Sequence, residues 1–229
     1  MYEKLYKEII NNNADVIKCN YENVKNNKIL RKSFSGEVTV YTRTEAIENF
    51  INIPYAYNKH FKVVVWDALY KKELFDDIRF PEGLLYEDGY VSPKIFFKSE
   101  KLVHLDENLY YYRINDKSIM SQGLTQQSLK SIDDWREIHF LIKDQIPSCS
   151  KQSAYRWLNK YLITYNELIK RDDIDIDGYY KNYIVDELLK YNNYFKNLDL
   201  NKKIILNLNV LSFNLKLYEF LVKIHILKI

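Results

Sequence analysis

Cysteine is almost missing from this 229-residue chain: Cys19 and Cys149 are its only two, too few and too far apart for a disulfide framework or a zinc knuckle. Both read as buried or half-buried thiols in a reducing compartment. A dominant charge is missing as well. The 34 basic residues stand against 31 acidic ones, a formal excess of +3, which excludes a dedicated nucleic-acid binder. Long apolar runs are absent, because charge interrupts every one of them. The opening Met-Tyr-Glu-Lys-Leu-Tyr-Lys-Glu carries no apolar segment of the kind that starts a leader. Neither a signal peptide nor a spanning helix is therefore expected, and the expected location is the cytoplasm. There is no internal repeat and no low-complexity segment beyond Asn-rich patches.

Hydrophobic residues make up 47% of the chain, enough to bury a sizeable core. The 21 tyrosines, with abundant Asn, Lys and Ile, match the usage of an AT-rich genome and are discounted one by one. Residues 2–12 have helical spacing, and residues 14–19 alternate like a strand. Residues 21–36 read as polar and irregular, 37–41 as a short strand, and Thr44 as the N-cap of a helix through Ile51. Residues 63–66, Val-Val-Val-Trp, lead into helical spacing over 67–75. A helix is expected over 87–99, with Pro93 tolerable only near its first turn. Residues 101–105 and 108–114 read as two strands. From Leu124 onward the pattern is helical, over 126–145, 150–170, 177–194 and 211–228. A domain boundary falls near Ser121-Gln122-Gly123, giving units 1–123 and 124–229.

Three segments carry the chemistry: Trp66-Asp-Ala-Leu-Tyr-Lys-Lys-Glu-Leu-Phe75, then Arg79-Phe-Pro-Glu-Gly-Leu-Leu-Tyr-Glu-Asp88, then Leu109-Tyr-Tyr-Tyr-Arg-Ile-Asn-Asp-Lys-Ser-Ile-Met120. By itself an Asp beside a Glu at a helix start caps the helix and balances its dipole. Arg113 alone reads as a strand-end arginine in solvent, and Trp66 alone as a core residue. In order and spacing, however, the three segments resemble bacterial family-2 glycosyltransferases that build capsule and cell-surface polysaccharides. The likeness covers about residues 1–121, and its Glu-Asp block is specific. It implies a partial GT-A (Rossmann-like) α/β domain followed by an all-helical C-terminal domain.

The resemblance further implies inverting transfer from a nucleotide-sugar to a saccharide or lipid-linked acceptor. Asp88 would be the general base on the acceptor hydroxyl, with Glu87 shaping the site. A direct displacement needs one such carboxylate, unlike the separated pair of a glycosidase. Trp66 would lie near the acceptor, and Arg113 and Ser118 would belong to a loop over the donor diphosphate, where a guanidinium suits bidentate phosphate contact. The family also implies a divalent metal, Mg or Mn.

The sequence departs from that family in two ways. Asp67 and Ala68 stand where Asn and Lys are usual, so a polar contact and a positive charge are expected to be missing. The first β-α-β nucleotide-binding half and its Asp-x-Asp metal ligands are not found here, so no metal ligand is assigned. A truncated or split enzyme, weak or inactive alone unless another chain completes it, is the expectation. The alternative is a non-catalytic interaction module built on a glycosyltransferase remnant.

Asp173, Asp175, Asp177 and Gly178 mimic the opening of a calcium loop, but the twelfth position is Ile184 rather than Glu, and an acidic turn capping the next helix is favoured. The four histidines are scattered singly, without metal-ligand spacing. In residues 211–229, Lys216, Glu219 and Lys223 lie along one face of an apolar helix. That segment would either rest on the inner membrane surface or pack on neighbouring helices, with packing favoured.

Overall fold

The computed structural model describes residues 1–25, 28–29, 34–52, 61–115, 123–171 and 173–227. The chain divides into two compact units, Met1–Gly123 and Leu124–Ile229.

The first unit is built on a mixed sheet. Strand β1 (Val16–Lys25) and strand β5 (Lys101–Arg113) run parallel at its centre. Strand β3 (Val38–Thr42) pairs antiparallel with β5, while β2 (Lys28–Ile29) and β4 (Ala68–Tyr70) share the outer edge of β1 at its two ends. Helix α1 (Tyr2–Asn11) covers one face through Leu5 and Ile9, packed on Ile17, Cys19, Val103 and Leu105. The residues between them, Val16, Lys18, Leu102 and His104, point to the other face because strand side chains alternate. On the helical side of unit 1, α2 (Arg43–Ile51) and α3 (Glu87–Lys98) contribute Phe50 and Phe96, which meet edge to face, and Phe61 meets both Phe96 and Tyr41 in the same way, at 5.0–5.8 Å. Each buried ring of this kind contributes about 2 kcal/mol through the area it removes from water.

Several local expectations change. The segment after Tyr21 is not irregular: β1 continues to Lys25, because β5 supplies a partner along its length. The two strands expected at 101–105 and 108–114 are one strand, with register shifts where Leu105, Asn108 and Tyr110 face Cys19, Asn20 and Tyr21. Asp106 anchors this irregular stretch by accepting from Ser35 N, Ser35 Oγ and Asn20 Nδ2 at 2.6–2.8 Å. The α2 N-cap is Thr42 rather than Thr44, in a reciprocal pair with Glu45 that satisfies two otherwise orphaned donors. Residues 67–75 are not a helix; residues 68–70 form β4, then Lys72–Phe75 make a 3-10 turn. An open edge of β1 outweighs helical spacing in so short a segment. Pro93 lies well inside α3, where it leaves the Gly89 carbonyl without its helical donor.

The second unit packs helices around α6 (Ser150–Lys170), whose Trp157, Leu158, Tyr161 and Tyr165 are fully or almost fully buried. Each long helical stretch on either side of α6 is divided. Residues 126–145 become α4 (Gln126–Leu129) and α5 (Asp134–Lys143). Residues 177–194 become α7 (Tyr179–Lys190) and α8 (Asn192–Lys196). The final stretch is α9 (Lys202–Phe213) and α10 (Leu215–Lys223), separated at an extended Asn214 whose side chain caps α10. The single helix expected over 211–228 is therefore not formed. The acidic turn is a helix cap: Asp175 accepts from the backbone of Tyr180 and Lys181, and Asp177 from that of Tyr179. No helix among the described residues is long and apolar enough to cross a membrane.

Candidate functional site

Residues 63–67 enter unit 1 as a loop, and its carbonyls explain why. Those of Val63, Val64 and Val65 each accept from a side chain on a different element: Ser92 Oγ on α3, Lys18 Nζ on β1 at 2.5 Å, and Tyr70 OH on β4 at 3.3 Å. Backbone acceptors engaged this way are not available to a strand ladder, and the apolar run stays irregular. The next residues are Trp66 and Asp67. The Trp66 indole stacks against Tyr110 and Tyr112 of β5 at 4.3 and 5.4 Å, and Tyr21 meets it edge-on at 4.8 Å. Lys62 Nζ lies 4.2 Å from the centre of the Tyr21 ring.

Asp67 is buried, and its Oδ1 accepts from the fully buried Lys18 Nζ at 2.5 Å. The polar contact expected to be lost at position 67 is thus replaced by an ion pair. Lys18 also stands directly opposite Ala68 in the β1–β4 pairing. Cβ atoms of such opposed residues lie about 5 Å apart, so the alanine methyl leaves room for the lysine stem. Burial raises the Asp67 carboxyl above its ordinary range, with Lys18 and Lys62 pulling the other way.

Glu87 and Asp88 open α3. The residue before them, Tyr86, is the N-cap in a left-handed conformation at φ 63°, ψ 34°, which costs a bulky L-residue about 1–2 kcal/mol. Both carboxylates are partly buried. Asp88 Oδ1 accepts from Gly89 N at 2.8 Å. Burial, then the charge of Glu87, raises the Asp88 carboxyl, while the Gly89 N–H and the Lys18 ammonium lower it, and the net displacement is upward. Tyr70 feels both Asp67 and Asp88, and burial together with these charges pushes its phenol far above the ordinary value.

The structure therefore ties Trp66, Glu87 and Asp88 to one region through the loop that Ser92 pins to α3. Arg113 is not part of it. It is exposed at the end of β5, and alternation with Tyr110 and Tyr112 places it on the face opposite their rings. Ser118 lies outside the described residues. Composition hides three participants, because Tyr21, Tyr110 and Tyr112 look like genomic bias. Lys18 also escapes a reading by motif, although a lysine in a strand between Val16, Ile17 and Cys19 needs a buried partner. Among the described residues no group of three His, Cys, Asp or Glu side chains is arranged to hold a metal ion.

Comparison with known proteins decides the kinship. The chain is 33% identical over 139 residues to the glycosyltransferase GlyA of Streptococcus pneumoniae, covering 58% of this chain and 19% of that protein. It is 27% identical over 130 residues to GlyG of the same organism, covering 52% of this chain and 41% of GlyG. It is 28% identical over 123 residues to EpsJ of Bacillus subtilis, an uncharacterized glycosyltransferase, covering 52% and 35%. This chain is a relative of bacterial glycosyltransferases. It spans less than half the length of these three curated relatives. The fold agrees with a crystal structure of S. aureus TarS residues 1–349 in complex with UDP-GlcNAc, at a TM-score of 0.65 and 16% identity, over 98% of this chain and 63% of that one. No protein-family model matches the chain.

Proposed function

We propose that this glycosyltransferase relative carries the acceptor side of an inverting, GT-A, family-2 type transfer from a nucleotide-sugar to a saccharide or lipid-linked acceptor, in surface polysaccharide synthesis. The observation that carries the reading is Asp88: a partly buried carboxylate of raised pKa at the head of a helix, after a strained Tyr86 and beside the loop that bears Trp66. A base that takes a proton from an acceptor hydroxyl works best when its pKa is displaced toward the working pH. Backbone strain held next to such a group is a mark of functional sites. Trp66 with its tyrosines offers the flat apolar surface that a sugar ring packs against.

The donor side is proposed to depend on groups other than the described residues. Among them no group of three His, Cys, Asp or Glu side chains is arranged around a metal ion, and Arg113 is exposed at the end of β5. UDP-GlcNAc, the ligand of TarS, is the natural first donor to try. With UDP-sugars, mixed oligosaccharides and Mg or Mn, the chain alone should give weak transfer or none; robust turnover contradicts the donor-side proposal. Asp88→Asn should lower whatever transfer is present by at least about a hundredfold, the usual contribution of a general base. Unchanged transfer in that variant contradicts the assignment of the base.

One observation favours a second reading, an interaction module. Phe213 and Phe220 of α9 and α10 are 84% and 57% exposed, with Leu206, Leu217 and Ile224 also uncovered. Binding of anionic-lipid vesicles or of a partner chain that is lost in Phe213→Ser/Phe220→Ser would support it, and identical behaviour of the two proteins would remove it.

A further inference from the structure

The Lys18-Asp67 pair is the one fully buried ion pair described in unit 1, and nothing in the proposed reaction requires it. Two opposite charges withdrawn from water rarely stabilise a fold more than well-packed apolar side chains of the same size would. Its place is more informative than its energy. Lys18 Nζ holds Asp67 on one side and the Val64 carbonyl on the other, while the adjacent Val63 carbonyl is held by Ser92. Ser92 stands four residues after Asp88 in α3, on the same helix face. The cation in the central strand holds the loop preceding Trp66 at one end of a short bridge, and Ser92 holds its other end to the helix that begins with Glu87 and Asp88. Tyr70, the cross-strand neighbour of Val16, closes the bridge by donating to the Val65 carbonyl, and its phenol feels both Asp67 and Asp88.

We propose that Lys18 is a positioning residue for the Trp66 loop and the acidic head of α3, acting through Asp67 and the Val64 carbonyl. The proposal deepens the acceptor-side reading and rests on it for its meaning, but its test needs no transfer activity. Asp88 is faced by Glu87 from its own helix, by Lys18 from β1 and by Tyr70 from β4; Asp67 is faced by Lys18, Lys62, Cys19, Tyr21 and Tyr70. Among these groups Lys18 supplies the positive charge felt by both carboxylates, and Asp67 partly balances it.

The experiment follows the Asp88 carboxyl carbon by NMR through a pH titration of the full chain. Lys18→Met removes the cation and should raise the Asp88 midpoint by about one pH unit. Asp67→Asn leaves the cation unbalanced and should lower the midpoint by a smaller amount. The double variant Lys18→Met/Asp67→Asn, in which no unpaired charge is buried, keeps the test available if Lys18→Met fails to fold; its Asp88 midpoint should lie between those of wild type and the Lys18→Met expectation. The indole N–H resonance of Trp66 should move in all three. Displacements of opposite sign in the two single variants, with a displaced Trp66, carry the proposal. An Asp88 midpoint unmoved by Asp67→Asn and by the double variant, or moved the same way by both single variants, overturns it. Loss of transfer in Asp88→Asn with these midpoints unmoved would leave the acceptor-side reading intact and remove only the role of Lys18.

Discussion

The two units bury polar groups in opposite ways. In unit 1 the one fully buried ion pair among the described residues is Lys18 with Asp67, and Tyr86, just before Glu87 and Asp88, is held left-handed. In unit 2 the buried polar groups are shared. Asp133 accepts from Tyr161, Tyr183 and Arg136; Arg136 also binds Glu187; His139 lies between Ser153 Oγ at 2.9 Å and Tyr194 OH at 2.7 Å. A fully satisfied network of this kind rigidifies the packing of the helices. An isolated buried pair beside a strained turn is poor design for stability alone, and this contrast directs attention to the Trp66 loop rather than to the tyrosine-rich helical unit.

The sharpest way to break the contrast is Lys18→Met. It strands a buried carboxylate and should cost about 3–5 kcal/mol near neutral pH in urea unfolding, most of it recovered in Lys18→Met/Asp67→Asn. The folded state already holds the Asp67 proton more tightly than the unfolded chain, so its contribution to stability falls as pH rises from the ordinary carboxyl value of 3.8 toward the raised one. Removing Lys18 extends that range upward, and the variant should lose less at pH 5 than at pH 7.5. A loss under about 1 kcal/mol at both would show that the pair is no more isolated than the network.

Next in size is the acid response of unit 2. Burial lowers the His139 imidazole from 6.5 to about 4, so the stability of the neutral ring is complete above pH 6.5 and is lost as pH falls through that window. The loss at pH 4 should approach roughly 3 kcal/mol and be largely absent in His139→Gln, as read by near-ultraviolet circular dichroism during acid titration. Smaller still is Tyr183→Phe. Asp133 keeps Tyr161 and Arg136, so about 1 kcal/mol is expected, measured by thermal unfolding. The smallest effect is a gain: Tyr86→Gly relieves the left-handed residue and should stabilise unit 1 by no more than about 1 kcal/mol while weakening saccharide binding.

Much of the architecture is legible in the residues. The spacing of α6 alone marks out residues 150–170, because one long amphipathic helix owes its limits to its own pattern. The Glu87-Asp88 helix start is readable for the same reason. What is not legible is decided elsewhere in the chain: β4 forms because β1 has an open edge, β5 stays whole because β1 runs beside it, and Asn214 divides α9 from α10 by capping the second. The ion pair is invisible in the sequence since Lys18 and Asp67 are 49 positions apart. The aromatic group around Trp66 is hidden by the abundance of tyrosine, which makes each one look like background.

If the Trp66 loop and the head of α3 form an acceptor site, a saccharide must perturb both at once. The most direct test is NMR titration of the full chain with defined oligosaccharides of hexoses and N-acetylhexosamines, observing the Trp66 indole and the Asp88 carboxyl. Saturable shifts are expected at Trp66, Glu87 and Asp88, with His139 and Tyr183 unmoved. No shift at Trp66 and Asp88 at millimolar saccharide, or shifts confined to α9 and α10, would contradict an acceptor site there.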